Sequence, residues 1–589
     1  MRHVTSNRAP ASLPALLALP LLVLAMLLTP ATPARADPFT PLPQGPKWTA
    51  ATRDAFYTID QGSRLIPYRW ALALRQPDGA PFLADGLARY GYLENPNSPT
   101  KGLPIGFMVA PEAGIPTLGM NCSACHTRQI DTNNRTYRID GGPALADFQA
   151  LLADLDAAMA TTLATPATFA SFATAVFAGQ PAPTPAQIAT LRAAVEAWYA
   201  PFHTIIAKSL PTATPWGIGR LDAISMIFNR VAGLDLGPAS SGGMIPGNIV
   251  TADAPARYPF LWNASIQDRT QWPGFAPNGS PIFALTRNTG EVLGVFAKFH
   301  PTKTVFAVDY KTNSSIQLPG LWQLEDLIVR IGPPAFPGPV DQALARKGAE
   351  LFAAAGPGCV ACHGIAPGGL RPPALETWKT PGQDVGTDSR EWQVLARKVD
   401  PGVLAGARIP LSFPPQHLPA ADAPAADVLK VAVLGAIIDQ LPTLLGGKAD
   451  LSALHPDLPA TPPGIADLLN WFRDPLDAPT PPPSGSFPYE SRVLQGIWAT
   501  APYLHNGSVP TLADLLKPAA ERPASFTVGR AYDLDRLGLA TTQPAGPRST
   551  ITTTGCEARA SGNSRCGHEF GTTLNPDEKA ALLEYLKTL

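Results

Sequence analysis

Apolar residues recur at helical spacing in several parts of the chain, whereas strict alternation of apolar and polar residues, which indicates a strand, is scarce. The C-terminal end shows the helical pattern most clearly, because an apolar stripe follows Asn575, a good helix-capping residue. The stripe consists of Leu582, Leu583, Leu586 and Leu589. A second helix is predicted over 340–352, and its apolar face contains Gly348, where two helices could cross closely. We therefore predict a mainly α protein with long loops and little β structure.

The remaining pattern predicts how the chain divides into domains. Helical spacing also occurs over 144–159, 185–210 and 221–231, with Pro-rich loops between these segments. A helix-breaking stretch rich in Pro and Gly then runs from Gly332 to Pro339. We place a boundary there and predict an N-terminal domain with extended loops over 37–335 and a C-terminal domain over 336–589.

Two pentapeptides of the form C-x-x-C-H supply the strongest chemical signal and use four of the six cysteines. In this motif both thiols form thioethers with haem vinyl groups, and the histidine ligates the iron. The predicted attachment residues are Cys122, Cys125, Cys359 and Cys362, and the predicted iron ligands are His126 and His363. The cofactors would then be two covalently bound c-type haems, each in a cytochrome c-like haem domain.

Two other interpretations of a C-x-x-C pair fit this chain less well. A zinc site needs a second pair of metal ligands nearby, and none follows either motif. A thioredoxin-like redox pair needs a βαβ context in a reducing compartment, whereas the N-terminus of this chain is typical of export. Covalent haem attachment is therefore the favoured interpretation of both motifs.

The first 36 residues have the pattern of an export signal. Arg2 and Arg8 precede an apolar run over 13–28, and the small-residue site Ala34-Arg35-Ala36 follows. The run is shorter than the roughly 18 to 20 residues that cross a bilayer, and an uncleaved anchor is the alternative. We predict a signal peptide over 1–36, a periplasmic or secreted mature protein, and no stable membrane insertion once the signal is removed.

Charge and composition narrow the choice of partners. The 589 residues carry a formal net charge of -1, and only 15% of them are charged, so nothing indicates nucleic acid as a partner. We expect a small-molecule oxidant and a small-molecule substrate. A small electron-transfer protein is a further candidate partner.

The supply of methionine and histidine limits how the second iron can be ligated. No methionine follows Met244, so a histidine is the expected sixth ligand of the second haem. The free histidines after the second motif are His417, His455, His505 and His568. We favour His568, because it lies just before the terminal helix and beside Cys556 and Cys566, which could form a stabilising disulfide after export. His505 is the main alternative.

The other face of the first haem is open to several interpretations. His203, His300 and several methionines could each reach its iron. Aromatic residues between the motifs could shorten an electron path, and our candidate catalytic residues near a reactive pocket are Trp272, Phe283 and Arg287. Ordinary packing is the alternative role for each of these three.

The run over 496–512, GIWATAPYLHNGSVPTL, resembles the signature of the bacterial di-haem cytochrome c peroxidase superfamily, which includes the MauG enzymes. More narrowly, the chain resembles the RoxA-like branch, whose founding members are rubber oxygenases. The segments that carry this narrower resemblance lie at 121–127, 138–142, 215–220, 287–291 and 567–570. Together they are spread over most of the predicted mature chain.

The resemblance implies a division of labour between the two haems. The N-terminal haem would be the reactive centre, and the C-terminal haem would be a six-coordinate electron relay. It also implies that His568 is the distal ligand of the second haem and that His505 has a structural or haem-edge role. Calcium is a further candidate cofactor.

Three functions stand as alternatives at this point. The first is a peroxidase-like oxidoreductase, the second a RoxA-type dioxygenase that cleaves an apolar olefin such as polyisoprene, and the third a non-catalytic electron-transfer cytochrome. A small polar pocket with a base at the first haem would favour the first function. A long apolar channel would favour the second, and filled distal positions on both irons would favour the third.

Overall fold

Helices form where the apolar stripes and capping residues predict them. The computed structural model describes residues 39–304, 307–354, 358–371, 375–410, 412, 414–446 and 485–589. The α-helices within these ranges are α1 (Ala50–Thr58), α2 (Tyr68–Ala73), α3 (Cys122–Cys125), α4 (Phe148–Leu163), α5 (Pro166–Val176), α6 (Pro185–Ser209), α7 (Ala223–Arg230), α8 (Pro281–Gly294), α9 (Leu318–Arg330), α10 (Gln342–Ala353), α11 (Cys359–His363), α12 (Arg390–Leu395), α13 (Ala425–Gly446), α14 (Leu512–Leu515) and α15 (Pro576–Thr588). The helices predicted over 144–159, 185–210 and 221–231 correspond to α4, α6 and α7.

The two helices that frame the C-terminal half pack against each other as predicted. Helix α10 begins after the capping residue Asp341, and α15 begins after Asn575, which forms a capping box with Glu578. A Cβ atom placed on Gly348 would overlap the carbonyl oxygen of Ala581. Glycine at this position therefore permits the close crossing of α10 and α15.

In the described ranges, β structure is confined to short strands in small sheets of two or three strands. The strands are β1 (Thr40–Pro41), β2 (Ile66–Pro67), β3 (Phe107–Glu112), β4 (Ile115–Met120), β5 (Thr127–Thr132), β6 (Arg135–Asp140), β7 (Arg220–Leu221), β8 (Ala256–Arg257), β9 (Arg269–Thr270), β10 (Ala276–Pro277), β11 (Thr302–Lys303), β12 (Val308–Asp309), β13 (Pro367–Arg371), β14 (Leu375–Trp378), β15 (Gly382–Gln383), β16 (Lys398–Val399), β17 (Ala423–Pro424), β18 (Tyr489–Glu490), β19 (Ser525–Val528), β20 (Tyr532–Asp533), β21 (Gly538–Leu539) and β22 (Ser549–Thr552). The antiparallel hairpins β3/β4 and β5/β6 flank α3, so they fix the position of the first C-x-x-C-H motif.

The Pro-rich stretch at the predicted domain boundary is hydrogen-bonded to residues on both sides of it. The Gly332 N–H donates to the Gln44 carbonyl at 2.9 Å, and the Trp498 indole N–H donates to the Pro334 carbonyl at 3.1 Å. Residues 41–589 form one compact unit. The division at residue 335 stays a prediction.

The mainly α character that the sequence predicts is confirmed for the part of the chain that the structure describes. The signal peptide predicted over 1–36 lies outside the described residues. Within those residues, no helix is both long enough and apolar enough to cross a bilayer.

Candidate functional site

The first C-x-x-C-H motif lies on the single turn of α3. Asn121 caps this turn, since its side-chain oxygen accepts from the Ser123 N–H at 3.0 Å and its amide donates to the Phe56 carbonyl at 3.0 Å. The Nδ1 atom of His126 lies 2.9 Å from the carbonyl oxygen of Pro259. A carbonyl can only accept, so Nδ1 carries the proton and Nε2 keeps the lone pair that binds a metal.

The second motif repeats this arrangement on α11. The Nδ1 atom of His363 lies 2.7 Å from the carbonyl oxygen of Arg492, which again leaves Nε2 as the free ligand atom. The guanidinium of Arg492 also donates to the carbonyl of Phe260 at 2.9 Å, and Phe260 directly follows Pro259. The two histidines are thus connected through hydrogen bonds to a shared stretch of backbone.

His568 faces His363 across a gap that suits a metal ion. The centroids of the two imidazole rings are 6.1 Å apart. Two metal–imidazole bonds of roughly 2 Å each, on one axis, give about this separation between ring centres. Burial lowers the pKa of His568 to about 3 and also lowers the pKa of His363, so both rings are neutral, which is the form that ligates.

The loop that carries His568 is held by several independent contacts. Cys556 and Cys566 form the disulfide that the sequence suggested. The His568 N–H donates to the Val385 carbonyl at 2.8 Å, and the Arg522 guanidinium donates to the carbonyls of Gly567 at 2.7 Å and His568 at 3.1 Å. These contacts fix the imidazole opposite His363.

The space around the second motif fits a haem. This cavity, which we call the second cavity, is lined by Cys359, Cys362, His363 and His568. Its apolar walls include Leu494, Ile497, Leu512, Leu515, Leu516, Leu582 and Leu586. A flat apolar macrocycle with an iron at its centre matches both the ligands and the walls of the cavity.

Buried arginines near the second cavity provide partners for the anionic haem propionates. Arg257 and Arg492 line this cavity, and their nearest carboxylate there is Glu490, which lies 3.5 Å from Arg492. Outside the lining of the second cavity, two residues after His126, the Nε and Nη2 atoms of buried Arg128 have no hydrogen-bond partner among the described residues. An uncompensated buried guanidinium is costly, and a carboxylate would satisfy it through charge-assisted hydrogen bonds. The residues present therefore fit the cofactor.

An apolar cavity of about 150 Å³, which we call the α8 cavity, lies along helix α8. Its lining includes Ile224, Ile227, Phe228, Phe275, Phe283, Leu429 and Val433, with Gln271, Arg287 and Glu291 among its polar members. Burial, together with the nearby carboxylates of Glu291 and Glu325, raises the pKa of the Cys122 thiol. The carboxylates of Glu291 on α8 and Glu325 on α9 are therefore near enough to act electrostatically on Cys122, although no residue of the first motif lines the α8 cavity.

The three candidate catalytic residues do not share one cavity. Phe283 and Arg287 line the α8 cavity, and Arg287 pairs with Glu325 at 2.8 Å. Trp272 lines the second cavity instead, where its indole N–H donates to the Arg257 carbonyl at 3.0 Å. Because its chain neighbour Gln271 lines the α8 cavity, Trp272 lies between the two cavities.

Most of the other histidines are engaged away from the first motif. His203 lies 3.0 Å from Asp156 on an exposed helix face, and His300 lies 3.6 Å from the buried carboxylate of Asp235. His505 is stacked on Tyr489 with ring centroids 3.7 Å apart. It lines the second cavity and does not face His363 as His568 does.

The remaining histidines after the second motif are His417 and His455. His417 belongs to an isolated bridge with Arg408, and His455 lies outside the described residues. No group of three or more His, Cys, Asp or Glu side chains suited to a metal ion occurs in the parts of the chain that the structure describes. Calcium stays a prediction.

Several residues of the site could not be found from the sequence. The carbonyls of Pro259 and Arg492 orient the two histidines. Every residue type has a backbone carbonyl, so the sequence does not show which carbonyl will accept these hydrogen bonds. Glu291 is different, because it stands four residues after Arg287 and so shares its helix face. That spacing is a signal that could have identified it.

Comparison with known proteins supports the cytochrome assignment of the C-terminal half. Residues 488–527 match the family described as RoxA-like, cytochrome c-like. This segment contains Arg492, His505 and α14, so it supplies part of the wall of the second cavity. A cytochrome c-like domain implies a c-type haem with its iron.

Relatives of the chain occur in Sinorhizobium fredii (strain NBRC 101917 / NGR234). The uncharacterized protein y4iJ is 32% identical over an alignment 616 positions long, gaps included, which covers 92% of this chain and 92% of that protein. The uncharacterized protein y4iM is 36% identical over an alignment of 119 positions, which covers 17% of this chain and 27% of that protein.

Proposed function

The chain belongs to the same family as the y4iJ protein of Sinorhizobium fredii, and from that premise we propose that it is an exported di-haem c-type cytochrome oxidoreductase. In this proposal the first haem is the reactive centre for peroxide or dioxygen. The second haem is an electron relay, so the activity is peroxidase-like.

One asymmetry carries the proposal. His363 has a second imidazole 6.1 Å away, whereas the aromatic neighbour of His126 at 6.1 Å is the phenol ring of Tyr258. Among the described residues no imidazole makes ring contact with His126. An iron with two imidazoles is suited to transferring electrons, and an iron with one is suited to binding an oxidant.

The side chains around the α8 cavity suit oxidant chemistry at the first site. Haem held by Cys122, Cys125 and His126 would supply the redox chemistry. Arg287 is held in place by Glu325 and could direct its remaining N–H groups at a bound oxidant. Glu291, which accepts from the Gln271 amide at 2.9 Å, could hold or release a proton. Phe283 would exclude water from the same space.

Trp272 is proposed as the link between the two sites. It lines the second cavity next to the residue that lines the α8 cavity, and the Arg257 guanidinium lies 4.7 Å from its ring centroid. A large aromatic ring at this position would shorten the path of an electron between the haems.

A spectroscopic titration tests the proposal. The holoprotein should contain two covalently bound haems per chain, measured by mass spectrometry and haem quantification. On adding carbon monoxide to the reduced protein, or peroxide to the oxidised protein, one haem should respond and the other should stay low-spin. If neither haem responds, the protein is an electron carrier. A content of one haem would refute the di-haem assignment.

The apolar lining of the α8 cavity favours a second candidate function, oxygenation of an apolar olefin. Few polar groups interrupt this lining, which suits a hydrocarbon chain better than a small polar oxidant alone. Incubation with dioxygen and a short isoprenoid alkene should then yield carbonyl cleavage products. Peroxide-dependent oxidation of electron donors without such products would favour the peroxidase-like activity.

A small electron-transfer protein is the proposed partner of the second site. Three apolar side chains around it are well exposed: Val360 at 44%, Ile365 at 58% and Phe570 at 46%. Val360 lies within the second motif and Ile365 lies two residues after it, and the Phe570 ring packs on His568 with centroids 5.4 Å apart. An exposed apolar rim beside a relay suits brief docking of a redox protein.

A further inference from the structure

Three tyrosines lie between the first motif and a separate cleft at the surface. We infer that Tyr258, Tyr92 and Tyr90 form a path along which the first haem site oxidises a phenolic donor bound in that cleft. This inference rests on the proposed function, because it needs an oxidant that reacts at the first site. It adds a second substrate site far from the α8 cavity.

The inner end of the path touches the haem attachment residue Cys125. The Tyr258 ring centroid is 6.1 Å from that of His126, the residue after Cys125. Tyr258, Tyr92 and Tyr90 belong to one buried hydrophobic cluster, and Cys125 packs against that cluster. Both hydroxyl groups are buried and have no hydrogen-bond partner among the described residues. Buried tyrosine hydroxyls normally find partners, so two unpaired ones at the attachment site are unusual.

Backbone contacts fix Tyr92 and Tyr90 relative to the first motif. The residue between them, Gly91, has a positive φ of 84°, and a Cβ atom there would overlap the carbonyl oxygen of Leu145. The segment containing Leu145 is itself tied to the motif, because the Ala144 N–H donates to the Cys125 carbonyl at 3.0 Å. The two tyrosines are therefore held at a set distance from the haem attachment residue.

The outer end of the path has a proton acceptor. The Tyr90 hydroxyl donates to a carboxylate oxygen of Asp154 at 2.7 Å, and Asp154 is exposed to solvent. The Arg89 guanidinium lies 4.4 Å from the centroid of the Tyr90 ring. Oxidation of a phenol is easier when its proton can leave at the same time, and Asp154 is placed to take that proton.

Tyr90 and Asp154 line a cleft of about 470 Å³, within the usual size range of small-molecule sites. Its walls combine the aromatic rings of Phe82 and Phe172 with the hydroxyl groups of Thr161 and Thr168. Aromatic walls suit a flat ring, and the hydroxyl groups suit a phenolic oxygen. A phenol is also the class of donor that gives up one electron and one proton together.

The proposed steps balance for electrons and protons. With haem bound at the first site, reduction of one hydrogen peroxide to two waters would take two electrons and two protons. Tyr90 returns one electron along the path and gives its phenolic proton to Asp154. A phenolic donor in the cleft then transfers one electron and one proton to Tyr90 and leaves as a phenoxyl radical, while Asp154 releases its proton to solvent. Two donor molecules are consumed for each peroxide.

The experiment uses the holoprotein, hydrogen peroxide, a nitroso spin trap and a simple phenol. Peroxide should generate a tyrosyl radical detected by electron paramagnetic resonance, and mass spectrometry should map the trap adduct to Tyr90. Tyr90→Phe should lose this adduct and oxidise the phenol about tenfold more slowly or worse. Tyr92→Phe and Tyr258→Phe should reduce the same adduct. The optical response of the haems to peroxide should persist in all three variants.

Tyr199→Phe is the matched control, because Tyr199 is another tyrosine hydrogen-bonded near a carboxylate, 3.1 Å from His203, but it lies off the path. This variant should behave like the unmodified protein. Equal phenol oxidation by Tyr90→Phe, or trap adducts elsewhere only, overturns the inference and leaves the proposed function standing. No optical response of either haem to peroxide overturns both. If Tyr258→Phe fails to bind haem, the Tyr90→Phe result decides alone.

Discussion

The two C-x-x-C-H motifs are alike on one face of the histidine and different on the other. In both, Nδ1 is bonded to a backbone carbonyl, at 2.9 Å for His126 and 2.7 Å for His363. Among the described residues, only His363 has a second imidazole opposite it, held on a loop that a disulfide and Arg522 secure. The same attachment motif can therefore serve two purposes, and the purpose depends on what the rest of the fold brings to the free face.

The largest test of this difference removes each attachment site in turn. The double replacement Cys122→Ser with Cys125→Ser should abolish the response to peroxide and carbon monoxide while one haem stays bound. Replacing Cys359 and Cys362 in the same way should keep a ligand-binding haem but remove the relay. Mass spectrometry of covalent haem and optical ligand titration measure both outcomes. Retained ligand binding after loss of the first site would reverse our assignment of the two roles.

Opening the second site should have the next largest effect. His568→Ala removes the imidazole opposite His363, so the second haem should change from low-spin to a form that binds carbon monoxide. The measurement is the optical and magnetic resonance spectrum of the oxidised protein. His417→Ala, a change to an exposed histidine outside the second cavity, serves as the control and should leave the spectrum as it was. An unchanged low-spin spectrum in His568→Ala would exclude this residue as the ligand.

Loosening the loop without removing its ligand should produce an intermediate effect. Arg522→Gln removes charged donors from the carbonyls of Gly567 and His568, and we expect a loss of about 1 to 3 kcal/mol. A mixture of low-spin and high-spin second haem should appear, and denaturant unfolding should measure the stability loss. The half-exposed Arg536, which pairs with Asp514 at 2.8 Å, provides the control variant Arg536→Gln. Equal effects of the two changes would mean that Arg522 has no special role.

The smallest expected effect concerns communication between the sites. Trp272→Phe should leave the spectrum of each haem nearly intact but slow electron exchange between the two haems. The reason is that phenylalanine has a smaller ring than tryptophan and spans less of the distance between the two sites. Rapid-mixing spectroscopy after reduction of one haem measures this rate. Trp392→Phe is a suitable control, because Trp392 is a buried tryptophan whose indole donates to the Pro488 carbonyl at 2.7 Å. An unchanged rate in Trp272→Phe would exclude Trp272 as the link.

Local patterns in the sequence predicted the features that depend on local chemistry. The cap at Asn575, the small residue at Gly348 and the helices around them follow from side-chain preferences over a few positions. The choice of His568 depended on counting the available ligands and on the disulfide next to it. The sequence therefore predicted the second site better than the first.

The first site was harder to predict because long-range packing determines it. Trp272 and Phe283 are only 11 positions apart in the sequence, yet they line different cavities. Nothing in their types or spacing indicates that difference. The carbonyl of Pro259 reaches His126 from 133 positions away, and such a contact depends on the whole fold.

Arg492 gives the two sites a common mechanical support. The carbonyl of Arg492 accepts from Nδ1 of His363, and its guanidinium donates to the carbonyl of Phe260. The carbonyl of the preceding residue, Pro259, accepts from Nδ1 of His126. A displacement of one imidazole would thus be passed to the other through three hydrogen bonds and the peptide link between Pro259 and Phe260. If each histidine ligates a haem, as we propose, moving one histidine to change the reduction potential of its haem would also disturb the other. The pair would have to change as a unit.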